Sequence, residues 1–186
     1  PRSTSSAASD VYKRQNKSQL QILDIGTGSG CIILSLLKER KKDYGTGIDI
    51  SKKSINVSKI NAKLLNLSNR TKFFHSSIDN FNIGKYDLIV SNPPYIELLN
   101  LKYLEKDVVN FEPKLALNGG LDGFSKIKTV IFKASSLLKK KGKLILEIGF
   151  NQKDKVKEML KKKGFYVNHT FQDHGNNDRC IISTKI

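Results

Sequence analysis

The stretch that decides the fold is DIGTGSG at residues 24–30, which separates an apolar run from an amphipathic segment. The apolar run covers residues 20–25, and apolar side chains recur at helical spacing over residues 32–37. Glycines at alternate positions let the backbone turn sharply and let a ligand approach without meeting Cβ atoms. The sequence therefore predicts a strand, a ligand-binding turn and a helix that ends near Arg40.

Strands and helices alternate along the rest of the chain. The predicted strands cover residues 44–50, 72–75, 87–91 and 143–148, followed by a terminal pair at 165–171 and 180–184; the predicted helices cover 52–67, 127–138 and 153–163. In the helix 52–67, we expect one buried face made by Ile55, Ile60, Leu64 and Leu67. Because parallel neighbours need crossover connections, this order predicts an α/β fold with a doubly wound, Rossmann-like, mostly parallel sheet and a terminal antiparallel strand.

Composition indicates one domain without a membrane span. The chain has 186 residues, 38% of them hydrophobic and 27% charged, and no apolar run approaches the ~20 residues that a spanning helix needs. Residues 1–15 are predicted to be a disordered or foreign tail, and 16–186 a single catalytic domain. Cys31 and Cys180 are expected to be buried free thiols, with no metal site and a cytoplasmic location.

The net charge of +16 raises encounter rates with RNA, ribosomes or acidic proteins, but it does not select among them. Lysine runs at residues 139–143 and 161–163 are interpreted as solvated helix ends, where cations also interact favourably with the helix dipole.

The glycine loop and the acid after the next strand resemble a nucleotide site of one particular class. The loop lacks the GK[ST] ending of phosphate-binding loops, and its GxGxG spacing is not GxGxxG. It resembles motif I of the class I S-adenosylmethionine-dependent methyltransferases. The resemblance implies that Asp24 fixes the loop near the methionine moiety and that Asp49 holds the ribose. A tight turn with two strand-end carboxylates is the alternative.

The resemblance therefore implies S-adenosylmethionine as cofactor and a set of residues that contact it. Where the family has an acid followed by an aromatic residue near the adenine, this chain has Ser77-Ile78. The expected cofactor-binding residues are Asp24, Gly26, Thr27, Gly28, Gly30, Asp49, Ile50, Ile78 and Asn92.

The tetrapeptide NPPY at residues 92–95 follows a predicted strand and is the expected catalytic element. The prolines fix φ and make it stiff, although a proline-rich turn is the alternative. The side-chain carbonyl of Asn92 and the main-chain carbonyl of Pro93 can accept the two hydrogens of an NH2 group, while Tyr95 stacks on a planar amide or base. The expected catalytic residues are Asn92, Pro93 and Tyr95, and the expected substrate-binding residues are Asn92, Pro93, Pro94 and Tyr95.

This tetrapeptide matches the [DNS]PP[YFW] signature of methyltransferases that act on adenine amines, on guanine in RNA, or on glutamine amides. The stretch 107–123 narrows the choice, because it resembles the V-x-x-[YF]-E-P-x-x-A-L…GGxDG pattern of the release factor glutamine methyltransferases (the HemK/PrmC family). The resemblance extends over residues 20–186 and includes LEIG at 146–149 with Gln152, and a late cluster of Asp173, Gly175, Asp178 and Arg179. Residues 112–123 are expected to form a structured flap beside the active site.

The resemblance implies methylation of the glutamine in the GGQ motif of class I peptide chain release factors, which would be the protein partner. One alternative is a methyltransferase for an exocyclic amino group of adenine or guanine in RNA or DNA; another is a basic nucleic-acid-binding module with a vestigial site. Only residues 1–19 stand where the family has an N-terminal helical domain. We therefore expect a catalytic-domain fragment that keeps cofactor affinity and docks its substrate weakly.

Overall fold

The computed structural model describes residues 19–95 and 122–186. The strands in these ranges are β1 (Gln21–Ile25), β2 (Tyr44–Asp49), β3 (Thr71–His75), β4 (Tyr86–Ser91), β5 (Leu138–Glu147), β6 (Phe165–Gln172) and β7 (Asp178–Lys185). The helices are α1 (Cys31–Glu39), α2 (Lys52–Leu64), α3 (Ser125–Leu137) and α4 (Lys153–Lys162), with a 3₁₀ turn at Ser68–Arg70.

The seven strands form one sheet in the order β3-β2-β1-β4-β5-β7-β6. All neighbours are parallel except β7, which runs antiparallel to both β5 and β6. The predicted α/β fold, with a mostly parallel sheet and a terminal antiparallel strand, is therefore confirmed. The chain proceeds outward from β1 to β3 and then returns to the other side of β1, so the strand order reverses between β1 and β4. Ligands of such sheets bind outside the carboxyl ends of the strands at this point.

The core lies on both faces of the sheet. Successive side chains of a strand point to opposite faces, so Leu23 joins the cluster built with α3 and α4, whereas Ile22 joins the cluster built with α1. Both side chains are fully buried. Burial of this kind on both faces explains why the central strands are continuous apolar runs.

The face predicted for the second helix is wrong in two of its four residues. Ile60 and Leu64 are 59% and 74% exposed, whereas Ile55 is buried. The buried side of α2 instead carries Ile55, Ser58 and Ala62. Ile60 lies five residues after Ile55, about 140° around the helix, so the two cannot share one face. The helix ends at Leu64, and Leu67 is buried beyond its end.

The first lysine run does not lie at a helix end. Lys139, Lys140, Lys141 and Lys143 belong to β5, which begins directly after α3. Lys139 forms an ion pair with Asp87 at 2.8 Å, and Lys141 has a positive φ of 63° where the strand is irregular. Leu138 and Lys143 pair with β4, and the residues between them form an irregularity of the strand whose lysine side chains are exposed. The second run does end a helix: Lys161 and Lys162 lie in the last turn of α4, before Gly164 at φ 78°.

The two cysteines differ in exposure, so the expectation that both are buried is wrong for one of them. Cys180 is buried, whereas Cys31 is exposed at the start of α1. Burial, followed by the neighbouring charge of Glu147, raises the pKa of the Cys180 thiol to about 12.

Two of the sequence predictions fall outside the described residues, namely the tail at 1–15 and the flap up to residue 121. Asp122 and Gly123 are described and directly precede α3. Among the described residues, no helix is long and apolar enough to cross a membrane.

Candidate functional site

The glycine loop forms a cradle between the end of β1 and the start of α1. The amides of Gly26 and Thr27 both donate to the carbonyl of Ile48 at 2.9 Å, which ties the loop to β2. Gly26 and Gly28 have φ values of 73° and 56°, and a Cβ on either would meet no atom within 4 Å. The positive φ values favour glycine at these positions, and the backbone there faces open space that a ligand can enter.

One glycine that supports the cradle was not among the predicted site residues. A Cβ on Gly47, in β2, would lie 2.6 Å from Phe73 Cδ1 and 2.8 Å from Thr27 Oγ1. Gly47 therefore makes room for Thr27 beneath the loop. The GTG pattern at residues 45–47 was the only sequence signal for it. Gly30 has a similar packing role, because its Cβ would lie 3.0 Å from Leu34 Cδ1.

Asp24 is a buried carboxylate with one oxygen in use. It is 1% exposed, and its Oδ2 accepts a hydrogen bond of 2.8 Å from Thr27 Oγ1. Its Oδ1 has no hydrogen-bond partner within the described ranges. Burial raises the pKa of Asp24 to about 7; the nearby charge of Asp49 adds to the rise, and the Thr27 hydroxyl and the Ile33 amide oppose it. A buried carboxylate oxygen without a partner at the edge of a cradle fits a cationic ligand group such as an ammonium.

Asp49 is held at the opposite side of the cradle. Its Oδ2 accepts from the amide of Gly28 at 2.9 Å, and its Oδ1 accepts from the amide of Ser51 at 2.8 Å. The carboxylate is therefore fixed in orientation while half-buried. Each carboxylate oxygen has further acceptor capacity, which fits the two hydroxyls of a ribose.

Two apolar side chains follow the strands β2 and β3, on the side of the cradle away from β4. Ile50 follows β2 and is 53% exposed, and Ile78 follows β3 and is partly buried against the main core. The ends of these strands are tied together, because the amide of Ser76 donates to the carbonyl of Asp49 at 2.9 Å. Apolar surface at this edge suits the face of an adenine ring.

The tetrapeptide 92–95 leaves the sheet beside the cradle. Ser91, the last residue of β4, donates from Oγ to the carbonyl of Ile25 at 2.9 Å, so the ends of β1 and β4 are bonded directly. Asn92 is exposed, Pro93 is buried and Tyr95 is partly buried against the main core. The structure therefore places the Asn92 side chain on an anchored element next to the glycine loop.

The predicted site residues thus meet along one edge of the sheet. Hydrogen bonds connect Asp24, the glycine loop and Asp49 into one unit, and the bond from Ser91 attaches residues 92–95 to it. Ile78 lies farther out, beyond β2. Gln152 was recognised only as part of a family pattern, yet its buried side chain contacts the main chain of Tyr95.

Comparison with known proteins agrees with this geometry. A family described as a methyltransferase domain matches residues 16–182. The chain belongs to this methyltransferase family. Among curated relatives, it is 39% identical over 175 residues to a "Release factor glutamine methyltransferase" of Buchnera aphidicola subsp. Schizaphis graminum, with 94% of this chain and 63% of the relative covered. It is 38% identical over 172 residues to a "Bifunctional methyltransferase" of Rickettsia bellii, with 92% of this chain and 31% of the relative covered.

This methyltransferase domain thus spans between about a third and about two thirds of the length of these curated relatives. Its fold matches a crystal structure of magnesium protoporphyrin IX methyltransferase from Synechocystis PCC 6803 with bound S-adenosylmethionine. The TM-score is 0.69 at 17% identity, covering 98% of this chain and 78% of that one. The resemblance to the methyltransferase fold that the glycine loop indicated is confirmed.

Proposed function

We propose that the chain transfers the methyl group of S-adenosylmethionine to the side-chain amide nitrogen of the glutamine in the GGQ motif of a class I peptide chain release factor. The observation that carries this proposal is the exposed Asn92 side chain on a proline-stiffened element, bonded through Ser91 to the end of the strand where the cradle begins. The name of the Buchnera relative, at 39% identity, supports glutamine as the substrate.

The cradle residues hold the cofactor. Asp24 receives the ammonium of the methionine moiety on its unpartnered oxygen, and Asp49 accepts from the ribose hydroxyls. Gly26, Gly28 and Gly30 shape the loop so that its backbone approaches the cofactor closely. Ile50 and Ile78 pack against the adenine. When bound, the cofactor supplies a methyl group already activated by its positively charged sulfur.

Residues 92–95 orient the acceptor nitrogen. The Asn92 side-chain carbonyl and the Pro93 main-chain carbonyl accept the two hydrogens of the substrate NH2, which directs the nitrogen lone pair toward the methyl group. Tyr95 stacks on the amide plane, and Pro94 keeps the element stiff. With the cofactor bound, the nitrogen held by Asn92 and Pro93 would gain a bond to the methyl carbon as the bond from that carbon to sulfur breaks, and the nitrogen would then lose a proton to water. Since an amide nitrogen is barely basic, alignment rather than a general base lowers the barrier.

The alternative acceptor is an exocyclic amino group of adenine or guanine. It is favoured by the net charge of +16, which attracts nucleic acid, and by a tetrapeptide geometry that accepts any planar NH2 group. The two acceptors differ in where the methyl group is found after reaction.

The test incubates the chain with methyl-labelled S-adenosylmethionine and, separately, a release factor, total RNA or DNA. We expect label in the release factor alone, and none in a release factor whose GGQ glutamine is replaced. Asn92→Ala is expected to lower the rate by about 10²–10³. Asn69→Ala, an exposed asparagine in the 3₁₀ turn, is the matched control and keeps the wild-type rate. Label in RNA or DNA alone would overturn the proposal.

A further inference from the structure

Gln152 occupies the N-cap position of α4, but its side chain makes no capping hydrogen bond. Residues at this position ordinarily accept a hydrogen bond from the first turn of their own helix, and glutamine is not among those favoured there. Gln152 is nevertheless 4% exposed, so its amide is buried and needs partners elsewhere. The helix start therefore does not explain this side chain.

The partners of the Gln152 amide all lie outside its helix. Its Oε1 accepts from the amide of Gly149 at 2.9 Å, at the turn that follows β5. Its Nε2 donates to the main-chain carbonyl of Tyr95 at 3.3 Å and to that of Gly123 at 3.2 Å. These carbonyls lie 57 and 29 residues away in sequence. One side chain thus joins β5, the end of the tetrapeptide and the residues that precede α3.

The surroundings of this amide leave little freedom. A Cβ on Gly149 would lie 3.2 Å from both Cδ and Oε1 of Gln152 and 3.4 Å from Cδ2 of Tyr95. A side chain at residue 149 would therefore require the Gln152 amide to shift by a few tenths of an ångström. The two hydrogens of Nε2 are directed at two carbonyls, which fixes the amide plane.

From these contacts, we propose that Gln152 is a positioning residue for methyl transfer. By holding the Tyr95 carbonyl near the end of β5, it fixes the orientation of the Asn92–Tyr95 element. Through Gly123, it also holds the residues that precede α3. This inference rests on the proposed function for its effect on rate. Its structural part concerns the order of residues 92–95 and does not depend on the identity of the substrate.

Two variants test the hydrogen-bond donor and acceptor of the Gln152 side chain. Gln152→Glu keeps an oxygen that can accept from Gly149 but replaces the NH2 donor, whereas Gln152→Met removes both functions at similar volume without adding charge. Gln21→Glu, an exposed glutamine at the amino end of β1, is the matched control for the added charge. We expect both Gln152 variants to bind S-adenosylmethionine within about threefold of wild type. We also expect kcat to fall by about tenfold or more, because small misplacements at a reacting centre have large effects on rate.

Hydrogen–deuterium exchange supplies the readout that does not depend on activity. Peptides covering residues 91–95 and 122–126 are expected to exchange faster in Gln152→Met than in the wild-type protein, while a peptide covering β2 is unchanged. If the wild-type chain methylates none of the offered substrates, the proposed function is wrong. The exchange comparison then still tests whether Gln152 orders residues 92–95. Unchanged exchange, or kcat within twofold of the Gln21→Glu control in a folded Gln152 variant, would overturn the inference.

Discussion

Replacing Asp24 by asparagine removes the titration of a carboxylate that lies buried beneath the cradle. Burial raises the pKa of Asp24 from 3.8 to about 7. Between about pH 4 and pH 7, the folded protein therefore retains a proton that the unfolded chain has released. Stability falls as pH rises wherever the folded state binds more protons, so Asp24 lowers the free energy of unfolding across this window and has no further effect above it.

The change in the free energy of unfolding follows from the width of the pH range between the pKa values of Asp24 in the unfolded and folded states. Each pH unit inside it changes the free energy of unfolding by about 1.4 kcal/mol, so the interval from pH 5 to pH 7 contributes roughly 3 kcal/mol. An asparagine side chain cannot ionise, so the variant lacks this slope. We expect the free energy of unfolding of Asp24→Asn, relative to wild type, to rise by about 3 kcal/mol between pH 5 and pH 8.

Urea unfolding of the ligand-free protein at pH 5, 6, 7 and 8 measures this difference. Asp79→Asn, which changes an exposed carboxylate, is the matched control. Its free energy of unfolding should change with pH in the same way as that of the wild-type protein. If the free energies of unfolding of Asp24→Asn and wild type changed equally with pH, the claim that burial raises the pKa of Asp24 would be refuted.

The same titration predicts the pH dependence of cofactor binding. Because an ammonium is bound by the ionised carboxylate, wild-type affinity for S-adenosylmethionine should rise about tenfold between pH 6 and pH 8, as the ionised fraction of Asp24 rises. Asp24→Asn should bind more weakly than wild type at pH 8, and its affinity should lack this rise. Calorimetric titrations of both proteins at the two pH values give the comparison.

Three further substitutions test separate parts of the site. Asn92→Ala should lower kcat by about 10²–10³ while changing the calorimetric Kd for S-adenosylmethionine by less than threefold, and a matching loss of cofactor affinity would contradict its assigned role. Asp49→Ala removes the acceptor for the amides of Gly28 and Ser51, so cofactor affinity should fall at least tenfold and urea unfolding should show a loss of about 1–2 kcal/mol. In Gly28→Ala the added Cβ would contact no atom, but alanine would have to adopt the positive φ of this position. The free energy of unfolding in urea should therefore fall by about 1–2 kcal/mol. An unchanged free energy would show that the loop relaxes freely.

The sequence predicted the sheet and the cradle because their signals are local. Apolar runs give the central strands, and DIGTGSG at 24–30 marks where the first strand turns into a helix. The first half of β5 was missed because Lys139 and its neighbours have no apolar pattern. This segment is an irregularity between Leu138 and Lys143, which both pair with β4, and the Asp87 carboxylate binds Lys139 there. The apolar residues of the second helix do not share one face, because the five residues from Ile55 to Ile60 correspond to about 140° of rotation.

Some residues of the site could likewise be predicted from the local sequence, whereas others depend on contacts between distant parts of the chain. Asp24 and Asp49 lie near the carboxyl ends of predicted strands and Asn92 directly follows one, and parallel strands bring such positions to the same end of the sheet. The contacts of Gln152 with Tyr95 and Gly123 could not be foreseen, since they join residues far apart in sequence whose approach depends on the finished fold. The burial that raises the pKa of Asp24 likewise arises from tertiary packing.

The most direct test of the central claim is peptide mass spectrometry of a release factor after incubation with the chain and S-adenosylmethionine. The proposed function predicts that the peptide containing GGQ gains the mass of one methyl substitution, with fragmentation placing it on the glutamine side chain, and that Asn92→Ala slows the gain by about 10²–10³. An unmodified glutamine, with methyl groups found instead on adenine or guanine of added nucleic acid, would contradict it.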